Sequence, residues 1–225
     1  MVGGITPQDF AKRYPRLFHM ATEGSWASIQ KYGLLSTSAI LDLYGITGAQ
    51  RNGIERNRRA SSVVLEDARL GRMVIRDQKP LIESKLRSSL RDGLTVEEWI
   101  LGLNRRVFFW VKEERLGGLR GAREYRPDRQ TVLVLDTVKV LERNLERVLL
   151  TPLNTGATNP MAHPRGKDTF KSLQEFPFAD RLKTNRKDPV VELTVDYSIP
   201  DAAEMVVEVW ERGGNIPDKC LVRTP

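Results

Sequence analysis

The chain has 225 residues, 40% hydrophobic and 29% charged, which suits a soluble protein with a real core. It lacks an apolar run of about eighteen residues or a continuous N-terminal apolar stretch, and its one cysteine, Cys220, excludes an internal disulfide. These features predict a cytoplasmic protein without a membrane span, and the net charge of +7 (36 Lys+Arg against 29 Asp+Glu) favours polyanions.

Residues Phe10 to Arg16 predict a short helix stopped by Pro15, and "RLFHM" a strand of alternating large residues. In "EGSWASIQKYGLL", Ser25 is the candidate N-cap, Trp26, Ile29 and Tyr32 fall near helical spacing, and Gly33 is the stop. "LLSTSAILDLYG" is ambiguous between strand and helix. The basic, glycine-punctuated "ITGAQRNGIERNRRASS" predicts a mobile loop with a helical turn. "SVVLED" and "RMVIRDQ" flank the turn residues "ARLG" and predict a hairpin.

"LIESKLRSSLRDGLTVEEWILGLNRR" holds two helices, the first ended by Gly93 and the second started by a Thr95/Glu98 capping box. "RVFFWVK" is a β-branched and aromatic strand, "ERLGGLRGAREY" a helix interrupted at Gly117-Gly118, "QTVLVLDT" a strand and "VKVLERNLERV" a short helix. From Thr151 to Asp188 the chain is irregular and rich in Pro, Asn, Gly and charge, a length that points to function or disorder. "PVVELTV" and "EMVVEVW" are the closing strands. Separated strands and helices predict an α+β fold, one domain over 1–225 with an irregular insertion at about 151–188.

Familiar catalytic signatures are missing from the sequence. No Walker A loop or dinucleotide fingerprint occurs, and His19 and His163 stand alone, so no metal site is expected. A metal nuclease of the Asp…Glu-x-Lys type would need a lysine where Thr194 stands. What remains is a strand-end histidine, arginines near apolar strands, and Glu192 inside "VVELTV". An acid in such a strand either faces solvent or is held in a cleft.

The stretch "LFHMATEGSWASIQKYGLLS" resembles the opening of the DarT-type DNA ADP-ribosyltransferase toxins. There a strand ends in Tyr/Phe-His-x-Thr and leads to a helix with a Ser-Ile pair and a closing Gly-Leu. Ser28-Ile29 and Gly33-Leu34 match; Ala21 stands in the threonine's place and Thr22 follows it. "GIERNRRAS" is similar to the family's basic stretch with a catalytic arginine, "RVFFWV" to its aromatic strand, and "VVELTVDYSIPDAAEMVVEVW" to its ending. Segments such as "VIRDQKP", "LNRRVFFW" and "TPLNTGATNP" are also similar to an uncharacterised bacterial sister family.

The resemblance implies an ADP-ribosyltransferase-like fold, with a split, bent, mixed β-sheet and flanking helices. It also implies an NAD-consuming pentosyltransferase that transfers mono-ADP-ribose to a nucleic acid, most simply DNA. Glu192 and Arg58 or Arg59 would be catalytic. His19, Ala21, Thr22 and Phe109 would contact NAD, with Phe108 and Trp110 alternatives to Phe109. Asn154, Thr158, Arg165 and Lys167 in the irregular segment would read the acceptor, unless that segment is a structural loop. Arg76-Asp77 is either a turn ion pair or a second cleft arginine. Toxicity and an antitoxin protein partner are further implications. The rival readings are a non-catalytic nucleic-acid-binding protein and an NAD-dependent RNA 2′-phosphotransferase.

Overall fold

Apolar, β-branched and aromatic strands build the centre of the molecule, and short helices close around it. The computed structural model describes residues 3–120, 125–184, 188–214 and 216–224. Helix α1 (Pro7–Arg13) starts where the Thr6 hydroxyl accepts the Asp9 amide and Pro7 presets the first turn. Strand β1 (Arg16–Thr22) follows, then α2 (Trp26–Tyr32). Ser25 precedes α2 without capping it; its hydroxyl instead donates to the Thr22 carbonyl at 2.6 Å. Gly33 ends α2 at φ +78°, where a Cβ would lie 2.2 Å from the Ile199 carbonyl oxygen, so no larger residue fits.

The ambiguous stretch after Gly33 divides into both structures, β2 (Leu34–Leu35) and α3 (Thr37–Leu43), with Ser36 as a true N-cap on Ala39. Half of the expected basic loop is helix α4 (Gly48–Glu55). β3 (Val63–Asp67) and β4 (Gly71–Ile75) form the expected hairpin. α5 (Glu83–Ser89) stops before Gly93, and α6 (Val96–Asn104) carries the capping box: the Thr95 hydroxyl accepts the Glu98 amide, and the Glu98 carboxylate accepts the Thr95 amide.

After β5 (Arg106–Trp110), α7 (Glu113–Arg120) runs unbroken through Gly117-Gly118; its expected continuation across 121–124 lies outside the described residues. β6 (Arg129–Asp136) and α8 (Thr137–Asn144) appear as expected. The helix predicted through Val148 ends early, and Val148–Thr151 is instead an edge strand, β7, laid along β8. Four residues are too few to show a period, so pairing decides their state. α9 (Phe178–Lys183) is an α-helix within the irregular segment, of which 185–187 lie outside the described residues. The chain closes with β8 (Glu192–Asp196), β9 (Ser198–Ile199), β10 (Val206–Gly213) and β11 (Lys219–Arg223).

The fold class is α+β, with a large antiparallel sheet and flanking helices. The sheet order is β11-β10-β6-β1-β5-β8-β7, with β2-β9 and β3-β4 as separate pairs. Where a mixed sheet was expected, every pairing in this sheet is antiparallel. β5 and β6, joined through α7, and β6 and β7, joined through α8, are not neighbours, and β7 and β8, joined by the segment that holds α9, lie side by side but antiparallel.

Within the sheet, β1 and β6 pair along seven residues, yet β1 and β5 share one register pair, Phe18 with Trp110. The sheet is therefore two ladders hinged at one point. Beneath it Leu17, Phe109, Leu133, Leu135, Leu193 and Val209 pack with residues of α1 and α8 into the main core. Burying each such side chain contributes about 1.5–3 kcal/mol. Among the described residues, no helix is long and apolar enough to cross a membrane.

Candidate functional site

Beyond Phe18 and Trp110 the two ladders part, and the opening is a cleft of about 390 Å³. That size suits a small-molecule ligand. The end of β1, the start of α2, strand β4, strand β5, the Asn154–Ala157 turn and Glu192 line it.

His19 sits at the point of separation. Its Nδ1 lies 2.8 Å from the Phe108 carbonyl oxygen, and its ring is 5.7 Å from that of Phe109. A carbonyl oxygen only accepts, so Nδ1 carries the proton and Nε2 keeps a lone pair. Burial holds the imidazole pKa down to about 4, against the pull of the Phe108 bond and with help from the Arg76 charge, so His19 is neutral at pH 7. Ala21 and Thr22, farther along β1, also line the cleft.

Glu192 opens β8 opposite Trp110 on one side and Thr151 on the other, and is only 4% exposed. The solvated-face reading is thereby excluded. Its Oε2 accepts the Thr155 hydroxyl at 2.7 Å and the Thr155 amide at 3.2 Å. Burial pushes its pKa up to about 7, although both Thr155 bonds and the charges of Arg165 and Arg115 oppose the rise. A carboxyl poised near neutrality can exchange a proton with a bound ligand.

The three arginines separate cleanly. Arg58 does not line the cleft; its guanidinium donates to the carbonyls of Leu81 and Lys79. As a catalytic candidate it is corrected to a residue that ties one loop to another. Arg59 reaches the cleft wall but is 8% exposed, and donates to Ile54 O at 2.7 Å, Arg76 O at 2.9 Å and Asn104 Oδ1 at 3.0 Å. With those donors engaged, and burial holding its pKa at about 10, it braces β4. Arg76 lines the cleft beside His19, with Arg59, Arg72 and Arg106 also in its walls. It approaches Met20 O at 3.4 Å, lies 5.1 Å over the Tyr125 ring, and is close enough to His19 to depress its pKa. Its neighbour Asp77 accepts the Tyr125 hydroxyl at 2.7 Å.

Phe109 belongs to the core: it is 1% exposed and pairs with Leu193. It nonetheless lines the cleft, its ring 5.7 Å from that of His19, while alternation along β5 turns Phe108 and Trp110 the other way, half-buried and also at the cleft. In the irregular segment, Asn154 lines the cleft. Thr158 is fully buried and its hydroxyl accepts the Ile82 amide at 2.7 Å. Arg165 is 2% exposed and donates to three carbonyls of its own segment. Neither is available to an acceptor, so both are corrected to structural roles. Lys167 and His163 are exposed, and neither lines the cleft.

A sequence model for DUF7002, a family of unknown function, matches residues 15–206. The chain belongs to the DUF7002 family. A search of curated proteins finds no match. Among solved structures, Thermosipho africanus DarTG in complex with ADP-ribose is similar, at 12% identity and a TM-score of 0.41. The match covers 87% of this chain and 43% of that one, so the chain spans less than half of its length.

In this DUF7002 protein one residue beside the site, Thr155, carries no sequence signal, and a second, Arg76, is decided only by the fold. Thr155 lies inside "LNTGATNP", flanked by two residues that were singled out, yet nothing local marks it as the partner of a glutamate 37 positions away. Arg76 was left open between two roles, and the signal that decides it, the fold of β4 over β1, is tertiary.

Proposed function

We propose that the protein is an NAD-consuming mono-ADP-ribosyltransferase whose acceptor is a nucleic acid, DNA in the first instance. The observation that carries this reading is the convergence of Glu192, neutral His19 and Arg76 on one cleft at the split of the sheet. Scission of the nicotinamide–ribose bond sends its electron pair to nicotinamide and leaves positive charge on the ribose, as in glycoside cleavage. The Glu192 carboxylate would stabilise that charge and take the proton lost by the attacking acceptor. His19 Nε2 would accept a hydrogen bond from a ribose hydroxyl. Arg76 would pair with pyrophosphate oxygens, for which a guanidinium is well shaped. Phe108 or Trp110, rather than Phe109, would offer a ring to the nicotinamide.

The nucleic-acid acceptor rests on the net charge of +7 and on the order of motifs along the sequence. A toxin role with a protein antitoxin belongs to the same reading and rests on that motif order alone. The test is incubation of the full chain with labelled NAD and separate DNA, RNA and protein acceptors, following nicotinamide release and labelled product. Label on DNA is the expected result. No release and no label from folded protein overturns the enzyme, and retained DNA binding in that case selects the non-catalytic reading. Consumption of NAD only with 2′-phosphorylated RNA selects the phosphotransferase.

A further inference from the structure

We propose that the Asn154–Ala157 turn, clamped from within by Arg165, positions the Glu192 carboxylate, and that Thr155 is the positioning residue. The proposal rests on the reading of Glu192 as the carboxylate of the transfer reaction. Thr155 is fully buried and gives both its hydroxyl and its amide to the same oxygen, Glu192 Oε2, at 2.7 and 3.2 Å. Two donors from one residue hold that oxygen in place.

The turn itself is held by a buried cation. Arg165 Nη1 donates to Thr155 O at 2.9 Å, Nη2 to Ala157 O at 3.1 Å and Nε to His163 O at 3.1 Å. A planar fork can satisfy three carbonyls spread along a turn, which a lysine ammonium on its flexible stem does less well. Arg165 is in turn joined to the scaffold: its amide donates to Ser89 O at 3.0 Å, and its carbonyl accepts the Arg91 amide at 2.9 Å. Thr158 adds a second anchor through Ile82, the N-cap residue just before α5. The chain of contacts thus runs from α5 through Arg165 and Thr155 to Glu192. Two residues that the sequence marked as acceptor readers, Arg165 and Thr158, support the carboxylate instead.

The charged groups that act on Glu192 are Arg165 and Arg115, and Thr155 supplies its hydrogen bonds. Removing the Thr155 hydroxyl while keeping the side-chain shape withdraws a donor that favours the ionised form. In full-length protein labelled with ¹³C-glutamate, with the Glu192 signal assigned through Glu192→Gln, Thr155→Val is expected to titrate about one pH unit higher. Thr155→Ser is expected to restore the wild-type midpoint. Arg165→Lys keeps the charge and loses the fork, and is expected to shift Glu192 in the same direction. The pH profile of nicotinamide release should move by the same amount, with kcat lowered on the order of tenfold and KM for NAD nearly unchanged.

An unshifted Glu192 titration in folded Thr155→Val overturns the proposal. If Thr155→Val does not fold, the Arg165→Lys titration decides by the same criterion. A shifted titration in a protein that releases no nicotinamide under any condition overturns the proposed function and leaves the positioning relationship standing.

Discussion

His19 bridges β1 and β5 through its side chain, Nδ1 to the Phe108 carbonyl at 2.8 Å, beyond the one backbone pair those strands share. The imidazole therefore closes the sheet at the same place where it opens the cleft. His19→Ala should leave the Phe108 carbonyl without this donor and cost about 1–2 kcal/mol, seen as a lower urea midpoint. The pH dependence has a fixed sign. With a folded pKa of about 4 against 6.5, the unfolded chain binds more protons between those values. Wild-type stability should fall as the pH drops through that window, and His19→Ala should flatten this part of the acid limb.

Glu192 gives the opposite sign. Its folded pKa of about 7 lies above the ordinary glutamate value of 4.5, so between those values the folded state holds a proton that the unfolded chain has released. Its stabilising contribution is complete below about pH 4.5 and is lost as the pH rises toward 7, on the order of 3 kcal/mol. Glu192→Gln keeps an acceptor for Thr155 and carries no charge. The Tm difference between variant and wild type should increase in the variant's favour through this window and level off above pH 7, while ADP-ribosyl transfer is lost at every pH. A variant that loses ground instead as the pH rises would show that the cleft prefers the ionised carboxylate.

Arg76 and Arg58 differ in what their guanidiniums face, and the difference is measurable. Arg76→Ala should weaken ADP-ribose binding by tenfold or more, because it removes the cleft cation nearest His19. Arg58→Ala should leave that affinity within about twofold and affect thermal stability alone, since its partners are the carbonyls of Leu81 and Lys79. Calorimetric titration of both variants with ADP-ribose separates them.

The two faces of β5 provide a further check. Phe109→Ala empties a core position beside Leu193 and should cost about 3–5 kcal/mol in urea unfolding. Trp110→Ala, at a half-buried position on the cleft side, should cost less stability and more ligand affinity.

Much of the fold was legible residue by residue. The continuous β-branched and aromatic runs in "QTVLVLDT" and "RVFFWVK", the Thr95/Glu98 box and the Gly33 stop each depend on neighbours within about four positions, which a sequence displays directly. β7 and β11 were not legible, since each is an edge strand defined by the strand it pairs with. Glu192 and His19 could be singled out because an acid in an apolar strand and a histidine at a strand end are locally anomalous.

The sequence by itself determined the central strands and the capped helices, the excess of positive charge and the order of the motifs that share the cleft. Tertiary structure decided the rest: which arginine faces the opening, which ring of β5 is core, and that Arg165 serves Glu192 through Thr155. The physical reason is common to all three. A side chain's role depends on the acceptors and burial it meets, and for these residues those come from strands and turns far away along the chain.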